Sequence, residues 1–167
     1  MSVVLREPHP LLPLAAAVAV ARACGPGARV KWPNDVQLQG RKVAGILAES
    51  RPQEGWAVLG IGINVAVRAE DLPEELRATA TGLGLAPANV PAMLATVLAE
   101  LKAALARPLR ELLDAWRARD ALRGVPVRWD GGDGIAAGID GGGRLLVERS
   151  DGSLTALDAG EVHLRRP

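Results

Sequence analysis

Three short segments carry the side chains that could do chemistry. Lys31-Trp32-Pro33-Asn34-Asp35 gathers an ammonium, an amide and a carboxylate within five residues, and Pro33 stiffens the turn so that they are held in a fixed array. Such a set suits an anionic ligand with a metal, although the same residues also make an ordinary strand-ending turn in which Asn34 and Asp35 satisfy backbone amides. Arg41-Lys42-Val43-Ala44-Gly45-Ile46-Leu47 opens on two cations and continues almost wholly apolar. A lysine at the mouth of such a strand can reach a phosphate or a developing negative charge in a partly dry pocket; alternatively, Arg41-Lys42 is a solvated hairpin end. In Gly60-Ile61-Gly62-Ile63-Asn64 the alternating glycines bare one face of a strand. A planar base or a phosphate can then lie against the backbone, and Asn64 offers both donor and acceptor. Close packing explains the glycines equally well, and the run lacks the third glycine and following helix of a dinucleotide fingerprint.

Other chemistries have little to work with. His9 lies among prolines and His163 near the C-terminus, at no metal or triad spacing with each other or with Cys24. One cysteine allows no internal disulfide and suits a reducing compartment. With 20 basic and 19 acidic residues the chain has no overall field for nucleic acid or an anionic membrane. The apolar stretch Leu11–Ala23 follows a charged segment and is too short to cross a bilayer, so it reads as a buried helix and the cytoplasm is the expected location.

The elements that must position these segments follow from periodicity. The 167 residues are 49% apolar but only 2% aromatic, which predicts a core of Leu, Val, Ile and Ala. A strand at Ser2–Arg6 precedes the Leu11–Ala23 helix, which stops at Gly25-Pro26-Gly27. Strands at Val30–Trp32, Val36–Leu38, Lys42–Glu49 and Trp56–Val67 follow in quick succession. After a helical turn at Glu74-Glu75-Leu76, the residues Met93, Leu94, Val97, Leu98, Leu101 and Leu105 form one face of a helix, and Leu109, Leu112, Leu113 and Trp116 that of another. From Gly124 the pattern turns to five short strands, Val125–Trp129, Ile135–Ile139, Leu145–Glu148, Leu154–Leu157 and Val162–Leu164, whose close turns predict a small barrel. The expected boundary falls near Arg123, giving units 1–122 and 123–167.

Taken in order, the three segments, together with Glu49, Leu72–Thr81 and Gly138–Val162, resemble the biotin protein ligase family. The resemblance spans nearly the whole chain. It implies an α+β fold, a mixed β-sheet packed with helices as in biotin and lipoate ligases, followed by a small SH3-like β-barrel. It also implies two steps: biotin and MgATP give biotinyl-5′-adenylate and pyrophosphate, then a carrier lysine attacks the mixed anhydride. By this resemblance Lys42 and Asp35 are the catalytic pair. Lys42 lies against the biotin carboxylate and the adenylate phosphate. Lys31 holds the ATP phosphates; Asn34 and Asp35 meet Mg2+ or orient the attacking lysine, with Asp35 as the metal ligand. Trp32, Gly45 and Ile46 complete the binding set, Asn64 with Gly60 and Gly62 receives the adenine end, and Arg165 reaches the phosphates from the barrel. The implied partner is the biotin carboxyl carrier domain of acetyl-CoA carboxylase. No helix-turn-helix for nucleic acid and no membrane anchor are expected, and a homodimer is compatible. The family places a Gly-Arg-Gly-Arg-x-Gly-Arg loop upstream of a strand resembling Met1–Arg6, so the catalytic unit is expected to be N-terminally incomplete, with part of the biotin pocket missing. Two competing readings are a non-catalytic module that binds an adenylate or a carrier domain, and a ligase for lipoate or octanoate; Lys-Trp-Pro-Asn-Asp favours biotin over the latter.

Overall fold

Strands β1 (Ser2–Arg6), β2 (Ala28–Lys31), β3 (Asp35–Leu38), β4 (Arg41–Arg51) and β5 (Trp56–Ile63) form an antiparallel sheet in the order β1-β5-β4-β3-β2. The computed structural model describes residues 1–158 and 163–164. β2 to β5 are successive hairpin partners, and helix α1 (Leu12–Cys24) carries the chain from one edge of the sheet to the other. Strand alternation divides the faces: Ala57, Leu59 and Ile61 of β5 are buried, whereas Val58, Gly60 and Gly62 point to the opposite side.

α1 is a helix for local reasons and central for packing reasons. Pro13 lies in its first turn, and alanine, the best helix former, recurs until Gly25 ends it with a positive φ of 109°. Its residues Ala15 to Ala21 are all at 0% exposure, because the sheet covers one side while α3 (Val90–Leu105) and α4 (Leu109–Arg117) cover the other. Small side chains let these layers approach closely. One ion pair, Arg22 to Glu100 at 2.6 Å, ties α1 to α3 at the surface.

α3 docks by a narrower seam than its sequence predicts. Val97, Leu101 and Ala104 are buried, but Leu94 and Leu98 are each 42% exposed. Spacings of four and three suffice for one helical stripe against the thin α1, so the neighbouring leucines fall outside it. In α4 the predicted Leu112, Leu113 and Trp116 are buried while Leu109 is exposed. α2 is a single short turn, Glu74–Arg77.

The second sheet contains β6 (Pro126–Trp129), β7 (Gly132–Ile139), β8 (Leu145–Glu148), β9 (Leu154–Leu157) and β10 (His163–Leu164), in the antiparallel order β10-β6-β7-β8-β9. Among the described residues β9 and β10 do not pair, so this is an open sheet. β7 starts three residues before the predicted Ile135, since Gly132, Asp133 and Gly134 continue the pairing with β6. Val127, Ala136, Ile139, Leu145 and Val147 join the same buried cluster as α1 and α4. At the junction Val30 donates to the Arg119 carbonyl at 2.8 Å and Ala121 donates to that of Val30 at 2.9 Å, which covers the edge of β2.

Two outcomes follow from this packing. Ala17→Leu should cost about 1–3 kcal/mol, the usual penalty for overfilling a dense core, read from urea denaturation; an unchanged midpoint would contradict the tight fit of α1. The second concerns Asp120 at the junction, whose Oδ2 is buried without a hydrogen-bond partner. Burial pushes its pKa up, against the Leu122 and Arg123 amides and the Arg123 charge, which pull it down. The folded state therefore holds this proton more tightly than the unfolded chain. Its contribution to stability declines as pH rises above the unfolded carboxylate value of about 3.9. The stability of wild type relative to Asp120→Asn should accordingly fall as pH rises above about 4, and a flat difference would remove Asp120 from this role.

Candidate active site

Cross-strand register brings the sequence-predicted residues together. Lys31 pairs with Asp35 across the β2–β3 hairpin, Asp35 with Gly45, and Gly45 with Gly62. These four residues make one row across four strands, and paired residues share a face, so two charged side chains stand beside two bare glycines. The next row on that face is Leu47, Gly60 and Ser2. The open face thus has a floor of main chain at Gly45, Gly60 and Gly62, with cations along one side.

Lys42 reaches into this row from its neighbour. A register shift between Val36 and Gln37 pairs Lys42 with Gln37, and the lysine side chain then runs over Gly45. A Cβ on Gly45 would stand 3.2 Å from Lys42 Cε and 3.3 Å from Nζ. A side chain at Gly45 would press on the end of the lysine, which lies flat over the bare backbone. The ammonium meets Asp35 Oδ1 at 2.6 Å, with the lysine side chain 47% exposed, so the pair is open to solvent and able to exchange partners. The backbone of Lys42 is clamped as well. Its N–H donates to the Thr79 carbonyl at 2.7 Å and its carbonyl accepts from Thr81 at 2.8 Å. Thr81, the buried polar residue of the described chain, marks a strap that the sequence pattern does not single out; its one signal is the Ala80-Thr81 segment of the family resemblance.

The two asparagines act as braces. Asn34 Nδ2 donates to the Ile46 carbonyl at 2.9 Å, and the Ile46 N–H returns a bond of 2.9 Å to the Asn34 carbonyl. The Trp32–Pro33–Asn34 turn, whose Trp32–Pro33 peptide is cis, is thereby stitched to β4. Ile46 itself is 3% exposed, so its side chain belongs to the core while its main chain serves the brace. Asn64 Nδ2 donates to the Thr81 carbonyl at 2.9 Å, which ties the end of β5 to the strap holding Lys42. Trp32 is 2% exposed and also faces inward. Arg165 lies outside the described residues.

A divalent ion has a modest foothold. Among the described residues no three His, Cys, Asp or Glu side chains gather. Mg2+ needs only one or two carboxylates when phosphate oxygens and water complete its shell, and Asp35 meets that requirement on the open face. Cys24 is no nucleophile, since burial pushes its thiol up to about 11. An apolar cleft of about 320 Å³, lined by Met1, Ile61, Ile63, Met93, Leu94 and Val97 among others, lies on the other side of the sheet from the glycines, because Ile61 and Ile63 alternate with Gly60 and Gly62.

Known proteins resemble the chain in both sequence and fold. Residues 11–66, which hold α1, the Lys31–Asp35 turn, Lys42 and the glycine strand, match the Biotin/lipoate A/B protein ligase family. The bifunctional ligase/repressor BirA of Escherichia coli is 39% identical over 152 residues, 82% of this chain. The chain spans 46% of that relative's length. The structure of biotin protein ligase from Aquifex aeolicus in complex with biotin and ATP superposes with a TM-score of 0.82 at 28% identity, covering 99% of this chain and 77% of that one. The biotin–[acetyl-CoA-carboxylase] ligase of Paracoccus denitrificans is 37% identical over 164 residues, 86% of this chain and 67% of its own length. With that much of a ligase matched, and the matched residues converging on one face of the same sheet, the chain belongs to the biotin protein ligase family.

Proposed function

We propose that this chain carries the nucleotide and phosphate side of an ATP-dependent biotin ligase, which forms biotinyl-5′-adenylate and passes the biotinyl group to a lysine of a biotin carboxyl carrier domain. The observation that carries the reading is Lys42 laid across Gly45, within reach of Asp35, beside a floor from which side chains are absent. In the first step a carboxylate oxygen of biotin attacks the α-phosphorus of ATP, and the bond to the bridging oxygen breaks to release pyrophosphate. Both reactants are anions. Lys42 offsets the charge that gathers between them, and Lys31, on the same row, adds a second cation for the phosphates. Asp35 is the group that would hold Mg2+ against the phosphate oxygens, where the ion screens their charge. In the second step the carrier amine attacks the biotinyl carbonyl carbon, a proton leaves the nitrogen, and AMP departs with Lys42 at its phosphate.

The main-chain floor accounts for the glycines. A nucleotide laid on Gly60 and Gly62 touches backbone directly, and Asn64 stands at the end of the same strand as its polar boundary. The match to ligases named for biotin favours that acid over lipoate or octanoate. In this reading residues 1–122 form the ligase unit and residues 123–167 an SH3-like barrel, with the open five-stranded sheet as its described part; Arg165 would approach the phosphates from there. A cytoplasmic location fits these substrates.

Biotin-dependent exchange of labelled pyrophosphate into ATP by the purified chain tests the first step. Transfer to a carrier domain, probed with streptavidin, tests the second. Binding of biotinyl-adenylate with neither activity would replace the enzyme by an adenylate-binding module, and exchange supported by lipoate or octanoate but not biotin would change the acid. Lys42→Ala should lower adenylate formation by about 10²–10³-fold, the range for removing a preorganised charge stabiliser, at nearly unchanged thermal stability, because its exposed ion pair contributes little to folding. A rate within twofold of wild type would take Lys42 out of the mechanism. Gly62→Val offers a complementary check. A Cβ there meets nothing within 4 Å and valine suits a strand, so the fold should persist while calorimetry shows ATP binding weakened at least tenfold; undiminished binding would place the nucleotide elsewhere.

A further inference from the structure

The Lys31–Asp35 turn is held from below by the second sheet. Trp32, buried beneath the turn, donates from Nε1 to the Gly143 carbonyl at 3.1 Å, a buried bond between residues 111 positions apart. Gly143 belongs to the β7–β8 connection, residues 140–144, which is closed by its own hydrogen bonds. Asp140 Oδ1 accepts from the Gly142 and Arg144 amides at 2.9 and 3.0 Å, its Oδ2 accepts from Arg144 Nε at 2.7 Å, and the Gly143 N–H donates to the Asp140 carbonyl at 3.2 Å. Gly143 also sits flush on α1. Its φ is +81°, and a Cβ would stand 2.9 Å from Leu14 Cδ2 and 3.2 Å from Leu11 Cδ2. A side chain at this position would lift the connection off the helix and draw its carbonyl away from the indole.

We propose that the Asp140–Arg144 connection is the clamp that positions the phosphate-facing turn, with Trp32 as the strut and Asp140 as a positioning residue some distance from the chemistry. Lys31 precedes the strut and Asn34 and Asp35 follow it within three residues, so a displaced indole moves the cation and the carboxylate together. The glycine floor, carried by β4 and β5, stays where it is. The second sheet thereby contributes to nucleotide binding through the Gly143 carbonyl that holds the turn. This inference rests on the ligase reading for its consequence, although the clamp itself is a structural statement that can be tested alone.

The test uses Asp140→Ala, which removes the acceptor of three hydrogen bonds without touching Trp32, and Asp140→Asn, which keeps one acceptor oxygen. Proton–nitrogen correlation spectra of the whole chain report the Trp32 indole and the amides of Lys31, Asn34 and Asp35 against those of Gly60 and Gly62. Calorimetry reports the affinity for MgATP and, separately, for biotin. Asp140→Ala should shift or broaden the indole and the turn amides, leave the two glycines in place, and weaken MgATP about fivefold, what one net hydrogen bond is worth, with biotin unaffected. Asp140→Asn should restore part of each change, and Trp32→Phe should reproduce the loss of MgATP affinity. Turn amides unmoved in both Asp140 variants would overturn the clamp, as would a moved turn with undiminished MgATP affinity, or equal losses for MgATP and biotin. If the wild-type chain binds no MgATP, the ligase reading fails, while the spectra still decide whether the clamp exists.

Discussion

Everything in this molecule is arranged around a helix thin enough to be surrounded. From Ala15 to Ala21 α1 is buried on all sides, a position in which larger side chains would hold the sheet, α3 and α4 too far apart to share it. Alanine meets two demands at once, favouring the helix and keeping its diameter small. The arrangement also explains how a chain with 2% aromatic residues makes a continuous core. Its larger side chains, Trp32 and Trp116 among them, lie around the alanine helix and are fully buried, and the buried residues of both sheets join one cluster. Dispersion contacts over that cluster, individually small, add up because the layers are close.

The same economy of side chains appears on the opposite face of the first sheet, for a different reason. There the glycines do not permit packing; they prevent it. Gly45 leaves the space that Lys42 occupies, and Gly62 leaves a space that the folded chain does not use. A surface of bare backbone with cations along one side can recognise a flat, polyanionic ligand by contact and charge. Rigidity comes from the braces beneath it, Asn34 on Ile46 and Asn64 on the Thr81 strap, so charge is presented with little reorganisation when a ligand arrives.

Much of this architecture is legible in the amino-acid sequence. Alanine periodicity and the Gly-Pro-Gly stop delimit α1 to within one residue at each end, and β8 and β9 fall between their turns as expected. The three candidate segments are visible as well, since glycine alternation and a lysine opening an apolar run are local patterns. Their alignment is not. The row from Lys31 to Gly62 depends on a shift between Val36 and Gln37 that no residue type announces, and without it Lys42 would not lie over Gly45. Leu94 and Leu98 share the predicted buried face because periodicity alone does not show how wide a stripe its partner can cover. The asparagines resemble ligand groups because a side-chain amide that binds and one that braces have the same sequence signature.

The bond from Trp32 to Gly143 has a consequence for how this family can change over time. Its acceptor is a main-chain carbonyl, so the contact depends on the course of the backbone at Gly143 and on no side chain there. Pairs of positions joined this way leave no correlated substitutions behind. What selection would record instead is an intolerance at position 143 for any side chain at all, far in sequence from the turn it serves. Two halves of a protein can in this manner be mechanically dependent while their sequences drift as if they were strangers.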